Sequence, residues 1–231
     1  MWYNLFVYVY LYNKINLRSE YMLNEILTRD SSYDWEDFLL LYKFALAEMN
    51  TKITILNEEF QLIHAYNPIE HIKSRIKTPE SIKDKLLRKG YDISLENARD
   101  HIYDIAGIRI ITSFNSDIYN LSDLICGIKG IRLIEAKDYI KSPKPNGYRS
   151  LHLLLEVPVF LSDRVEYLKL EVQLRTIAMD FWASLEHKIY YKFEKTVPSY
   201  ITEQLKDCAE LANYLDEKML SINEEIKKFR Q

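Results

Sequence analysis

Between Leu168 and Arg175 apolar and polar side chains alternate without interruption, and this stretch limits the fold more than any other. In an extended chain Leu168, Leu170, Val172 and Leu174 share one face, while Lys169, Glu171, Gln173 and Arg175 share the other. The apolar face demands a covering layer. The polar face is either solvent-facing or the floor of a polar cleft. Helical patterns on both flanks can supply the cover. From Asp34 to Ala65 the positions Trp35, Phe38, Tyr42, Ala45, Met49, Ile53, Leu56, Phe60 and Ile63 recur at threes and fours, which predicts one long amphipathic helix broken at Asn67-Pro68. Beyond Pro198, Ile201, Leu205, Cys208, Leu211, Leu215, Met219, Ile222 and Ile226 trace a second. With 231 residues, 48% of them hydrophobic, the chain can bury one full core. The expectation is an α/β (more strictly α+β) single domain: a mixed β-sheet flanked by helices, with long helices at both ends.

The centre reads in order. Alternation over Ile72–Lys77 predicts a strand with Lys73, Arg75 and Lys77 on one face. Thr78-Pro79 opens a helix that Gly90 can close, with Ser81 and Lys85 one turn apart on it. A short helix from Leu95 leads to a buried strand running from Ile108, with Asp104 just ahead of it beside the small Ala106-Gly107 pair. Residues 117–128 are expected as a helix with Ile118, Leu121, Leu124 and Ile125 inward, then a strand over 131–134 and another over 149–157. Asp163-Arg164 make a turn, and Thr176 can cap a helix over 177–193.

Between two of these strands lies Asp138-Tyr-Ile-Lys-Ser-Pro-Lys-Pro-Asn-Gly-Tyr-Arg-Ser-Leu-His152, a loop whose prolines and glycine stiffen a cluster of cations and two phenols. Its cations suit phosphate, and an exposed Tyr148 could lie flat on a purine. The five glycines form neither GxGxxG nor GxxxxGK[ST], so phosphate would be held by side chains: Arg75, Lys77, Lys85, Arg109, Lys141, Lys144 and Arg175. Several cations beside few carboxylates fit a magnesium nucleotide, with Asp104 and Glu171 as the pair for the ion. His152 alternates with Glu156 toward the same side, and His187 reads as a packing histidine; His64, His71 and His101 fall into no arrangement. Cys126 and Cys208 are isolated and suit neither zinc nor a disulfide, as in a reduced cytosolic protein. A formal charge of −3 argues against wrapping nucleic acid. The aromatic Met1–Tyr12 stretch is too short to span a bilayer, and Met22 is an alternative start that would make residues 1–21 an extension outside the domain.

With these residues laid out, the chain resembles the RelA/SpoT-type alarmone synthetases, specifically the small single-domain enzymes of Gram-positive bacteria. The motifs SRIKTPESIKDK, DIAGIRI, DYIKSPKPNGYRSLH and EVQLRTIAMDFWASLEHK carry the likeness, over a core of about residues 67–193. The resemblance implies a nucleotidyltransferase-like fold and Mg²⁺-dependent transfer of the ATP β,γ-pyrophosphate to the ribose 3′-hydroxyl of GDP or GTP, giving (p)ppGpp. By position it implies that Arg75 and Arg109 sandwich adenine and that Lys77, Ser81 and Lys85 hold the ATP phosphates. Asp104 and Glu171 would bind the metal, Glu171 also taking the 3′-OH proton. Tyr148 would stack on guanine, with Lys137, Lys144, Asn146, His152 and Gln173 holding the acceptor.

The sequence also departs from the family pattern. His71, Lys73 and Asp180 stand where product-regulated members carry phenylalanine, threonine and asparagine, and Glu135-Ala-Lys-Asp138 mixes the versions tied to acceptor choice, leaving GDP against GTP open. No adjacent His-Asp pair occurs, so the hydrolase half of the long enzymes is not expected. A cytoplasmic homotetramer is expected, with no DNA or membrane partner; RNA is left open. The competing expectation is a catalytically silent nucleotide- or RNA-binding module of the same fold.

Overall fold

In the computed structural model of the chain, the residues described are 34–63, 66–191 and 198–229. Residues 1–21 and Met22, on which the expected extension and alternative start rest, lie outside them. The chain divides into two compact units, Met1–Leu40 and Leu41–Gln231. A helix α1 covers residues 34–63, so the long N-terminal periodicity is realised. Within the second unit its Tyr42, Ala45, Met49 and Ile53 are buried. Then come β1 (Ile69–Ile76), α2 (Pro79–Arg88), α3 (Leu95–His101), β2 (Ala106–Thr112), α4 (Asn115–Cys126) and β3 (Arg132–Asp138). The chain closes with β4 (Leu151–Phe160), β5 (Val165–Thr176), α5 (Ile177–Tyr191) and α6 (Ser199–Lys228).

The strands form one mixed sheet in the order β1-β2-β5-β4-β3. Only β2 and β5 pair in parallel; the other neighbours are antiparallel. The unbroken alternation from Leu168 to Arg175 is β5. Its Leu168, Leu170, Val172 and Leu174 are buried, each worth about 1.5–3 kcal/mol against exposure. Its polar face is the floor of a cleft. The pairing places Lys73, Arg109, Gln173, His152 and Lys137 side by side in one row across β1, β2, β5, β4 and β3. A chain with no phosphate-binding glycine loop thus builds a polar surface from strand side chains alone.

Several expectations need correction. β3 runs to Asp138 rather than ending at 134, because its edge pairs with β4 along its length, and β4 itself continues to Phe160. Leu124 is exposed, because the inward stripe of α4 is Ile118, Leu121 and Ile125. Arg175, expected in the open polar face of β5, is buried at 4% exposure because α5 turns back over it. The helix starts follow the sequence: Thr78 Oγ1 accepts from Ser81 N at 3.3 Å to cap α2, and Thr176 Oγ1 accepts from Met179 N at 3.2 Å at the head of α5. Among the described residues no helix is long and apolar enough to cross a membrane.

Asp216 on α6 accepts a hydrogen bond from the same Thr176 hydroxyl. Burial pushes its carboxyl up to about 6, against the opposing Thr176 hydrogen bond. A carboxyl raised in the folded state favours the fold fully only below its unfolded value, near 3.8, and that contribution is lost as pH rises through about 6. Asp216→Asn is therefore expected to gain about 1–2 kcal/mol over the parent at pH 7.5 and nothing at pH 4. Urea unfolding at both pH values checks this, and an equal effect at both would refute it.

Candidate active site

A cavity of about 190 Å³ opens on the polar face of the sheet, lined by Lys73, Arg75, Asp104, Arg109, Glu171 and Gln173, among others. Asp104 sits in the turn just before β2 and receives Lys77 Nζ at 3.0 Å and Lys85 Nζ at 2.8 Å. Burial alone would raise this carboxyl, but the hydrogen bonds and charges of the two lysines outweigh it and hold it below its usual value. The expected one-turn spacing explains half of the clamp: Lys85 projects from α2 while Lys77 arrives from the end of β1. Ser81 lies on the same helix, but its hydroxyl bonds Thr78 at 3.1 Å and it does not line the cavity.

Arg75 pairs with Gly107 and Lys73 with Arg109, which makes Arg75 and Arg109 diagonal neighbours across β1 and β2. Diagonal side chains stand about 7–8 Å apart, room for one flat ring between two guanidinium planes. Burial first, and repulsion from Arg175 second, pull the Arg109 pKa down; Asp180 opposes both.

Glu171 is opposite Gly107 on the neighbouring strand, on the Asp104 side of the cleft. Its Oε1 accepts from His152 Nδ1 at 3.0 Å and its Oε2 from Gln173 Nε2 at 2.7 Å. Burial pushes this carboxyl up, and these partners more than reverse the push, so it stays ionised below its ordinary range; the charge of Asp104 is felt in the opposite sense. Two anionic carboxylates close enough to repel are what a Mg²⁺ site with nucleotide phosphates requires, since that ion uses one or two protein carboxylates and completes its shell with phosphate and water. The residues fit the ion. Among the described residues no group of three or more acidic, histidine or cysteine ligands exists that could hold a metal without a nucleotide.

The loop between β3 and β4 is held by its own hydrogen bonds. Asp138 Oδ1 accepts from Ile140 N and Lys141 N at 3.0 Å, Gly147 N donates to Lys144 O at 2.8 Å, and Arg149 Nη1 donates to Ile140 O at 2.8 Å. Gly147 has φ +89°, and a Cβ there would lie 2.6 Å from Ala209 Cβ on α6, so the loop turns where only glycine fits. The expectation of an exposed Tyr148 is corrected here. Its ring packs against the Trp182, Ala183 and Ala209 cluster, with Lys144 Nζ 4.6 Å and Arg175 Cζ 5.0 Å from its centroid. Its hydroxyl accepts from Arg175 Nη2 at 2.6 Å. The same hydroxyl is hydrogen-bonded to His152 Nε2 at 2.8 Å, while the other ring nitrogen faces Glu171. Asn146 turns away from the cleft, donating to Glu186 Oε1 at 3.0 Å while its own oxygen takes the Tyr148 N–H. Lys137 neighbours His152 in register and pairs with Glu135 at 3.1 Å.

A domain model described as a region found in RelA/SpoT proteins matches residues 74–196. The chain belongs to the RelA/SpoT family. It is 58% identical over 193 residues to GTP pyrophosphokinase YwaC of Bacillus subtilis (strain 168), covering 84% of this chain and 92% of that protein. It is similar to the crystal structure of small alarmone synthetase 2 from B. subtilis, with a TM-score of 0.76 and 56% identity over 83% of this chain and 99% of that one. The B. subtilis small alarmone synthetase 1 bound to its product pppGpp is also similar, with a TM-score of 0.77 and 33% identity over 84% and 98% of the two chains. The fold expected from the family resemblance is the fold observed.

For a RelA/SpoT chain, the site holds two groups that the sequence did not mark. Tyr139 stands edge-on to both Tyr148 and His152, with ring centroids 6.0 and 5.2 Å away, and Lys144 Nζ lies 4.7 Å from its ring. Its only sequence signal was membership of the loop. Asp180, noted only as a departure from the family pattern, accepts from Arg109 Nη1 at 3.2 Å and Arg175 Nη1 at 3.1 Å through one oxygen. No periodicity marks a first-turn helix aspartate as the partner of two strand arginines.

Proposed function

We propose that the chain is a (p)ppGpp synthetase, transferring the β,γ-pyrophosphate of ATP to the ribose 3′-hydroxyl of GDP or GTP. The observation that carries this reading is the cavity lined by both Asp104 and Glu171, with Arg75 and Arg109 in its wall and Glu171 bonded to the His152–Tyr148 assembly. The activity in the name of its 58% identical relative supports it. ATP enters with adenine between Arg75 and Arg109 and its phosphates toward Lys77 and Lys85, Ser81 lying at the head of the same helix. The acceptor lies across Tyr148, Lys144, His152, Gln173 and Lys137. Tyr148 gives its face to guanine once Lys144 and Arg175 yield it, a stacking worth about 1–3 kcal/mol. Asn146 contributes by holding the Tyr148 backbone.

The 3′-oxygen attacks the β-phosphorus as the bond from that phosphorus to the α-bridging oxygen breaks, its electron pair leaving on AMP. Glu171 takes the 3′-OH proton, and His152 and Gln173 hold its carboxylate in place. Asp104 and Glu171 would hold Mg²⁺, whose chemistry there would be to neutralise charge building on the departing oxygens. Lys77 and Lys85 draw the ATP phosphates inward.

A homotetramer is part of the proposal. Leu211, Leu215, Met219, Ile222 and Ile226 form an exposed apolar stripe along α6, beside Phe181 and Ile177 of α5. A stripe of that length suits a covered face. A monomer by light scattering at micromolar concentration would refute this. A cytoplasmic location goes with nucleotide substrates and two free cysteines.

Incubation with labelled ATP, Mg²⁺ and GDP or GTP, followed by chromatography, tests the function. AMP with a guanosine tetra- or pentaphosphate supports it and also ranks the acceptors. Tight nucleotide binding with no transfer would instead favour the silent binding module.

A further inference from the structure

We infer that Asp180 is a positioning residue that couples the two nucleotide subsites, an inference that rests on the assignment of Arg109 to ATP and Tyr148 to the acceptor. Arg109 Nη1 and Arg175 Nη1 converge on the single oxygen Oδ1 of Asp180, at 3.2 and 3.1 Å. The other arm of Arg175 reaches the Tyr148 hydroxyl at 2.6 Å, and its Cζ stands 5.0 Å from the Tyr148 ring centroid. The chain of contacts therefore runs from the adenine-side arginine through one carboxylate to the acceptor-side ring. The Asp180 side chain is 18% exposed and that of Arg175 only 5%, so little solvent screens this pair, while Arg109 at 31% opens toward the cleft. Nε of Arg109 and of Arg175 are both buried without a protein partner, so each guanidinium is held through its outer nitrogens alone.

The two arginines share one oxygen and so compete for it. When adenine takes the plane of Arg109 and draws it toward Arg75, the carboxylate is left to Arg175. Arg175 then turns its fork toward Asp180, and the face of Tyr148 that it covers becomes available to guanine. ATP binding thus raises acceptor affinity, and by linkage the acceptor raises ATP affinity by the same factor. A carboxylate is needed because it attracts two cations that repel each other; an asparagine keeps the shape and an acceptor oxygen but not the charge.

The test is calorimetric titration of GDP into the full chain with Mg²⁺, with and without saturating AMPCPP. The wild-type protein is expected to bind GDP at least about fivefold tighter with AMPCPP present, within the usual range of coupling between sites. In Asp180→Asn that factor falls toward one, and in steady-state assays the KM of each nucleotide stops depending on the concentration of the other. Arg175→Lys, which keeps the charge but loses the second arm to Tyr148, is expected to lose the coupling as well, and stands in if Asp180→Asn does not fold. Coupling that persists in both variants, or is absent from a wild-type protein that binds both nucleotides, overturns the role of Asp180. A wild-type protein that binds neither nucleotide overturns the functional reading on which it rests.

Discussion

Replacing Glu171 by glutamine is expected to lower kcat by about 10²–10⁴-fold, the usual share of a general base, while the protein stays folded. The carboxylate has two oxygens with separate duties: Oε1 receives His152 and Oε2 receives Gln173. A glutamine oxygen can still accept from His152. Its amide would meet the Gln173 amide donor-to-donor, a conflict of about 1 kcal/mol that Gln173 relieves only by giving up its weak contact to Arg175 at 3.3 Å. The stability loss is therefore small and the catalytic loss large, because the amide cannot take the 3′-OH proton. His152 already points its Nδ1 at Glu171 and its Nε2 at Tyr148, so it has no free lone pair aimed at the cleft. A variant that keeps more than a tenth of the wild-type kcat at saturating substrates and Mg²⁺ would remove Glu171 as the base.

That residue was legible in the sequence for a simple reason. Strand periodicity fixes which residues share a face, and Glu171 lies in the cleanest alternation of the chain, between buried Leu170 and Val172. Lys77, Lys85 and Asp104 were legible for the same local reason, each sitting at the end of an element that its neighbours define. Arg75 and Arg109 required the register of β1 on β2, which no spacing within one segment reveals; the family resemblance supplied it.

The parts that sequence missed depend on which helix folds back over which strand. Arg175 alternates with Glu171 and so reads as a cleft residue, yet α5 covers it and turns it into a buried tie between Asp180 and Tyr148. Tyr148 reads as exposed because prolines and glycine surround it, but Gly147 lets the loop sit directly on Ala209, and the ring follows into the Trp182 cluster. The resemblance places Asn146 with the acceptor nucleotide; its contacts to Glu186 and to the Tyr148 N–H are invisible in the sequence. Apart from the Arg175–Asp180 bond, five residues apart but set by the fold-back of α5, these are contacts between segments more than 20 residues apart, or consequences of one.

Asp104→Asn is expected to separate binding from transfer in a way that Glu171→Gln does not. Asp104 neutralises Lys77 and Lys85, the same lysines that the ATP phosphates must recruit. Incoming phosphate therefore competes with a carboxylate for both ammonium groups, and Mg²⁺ competes with both ammonium groups for the carboxylate. The amide removes the first competition along with the metal ligand. Two half-buried lysines without a counter-charge destabilise the free protein by about 1–3 kcal/mol, and any anion that reaches them recovers it. AMPCPP in the presence of EDTA is thus expected to bind the variant at least as tightly as it binds the parent, and to raise its thermal midpoint more. Transfer should nonetheless fall by 10²–10³-fold or more, because charge neutralisation in the transition state carries most of a phosphoryl transfer. Loss of metal-free AMPCPP binding in Asp104→Asn would mean that Lys77 and Lys85 are only structural partners of the carboxylate. Near-parental transfer would mean that Asp104 holds no metal during the reaction.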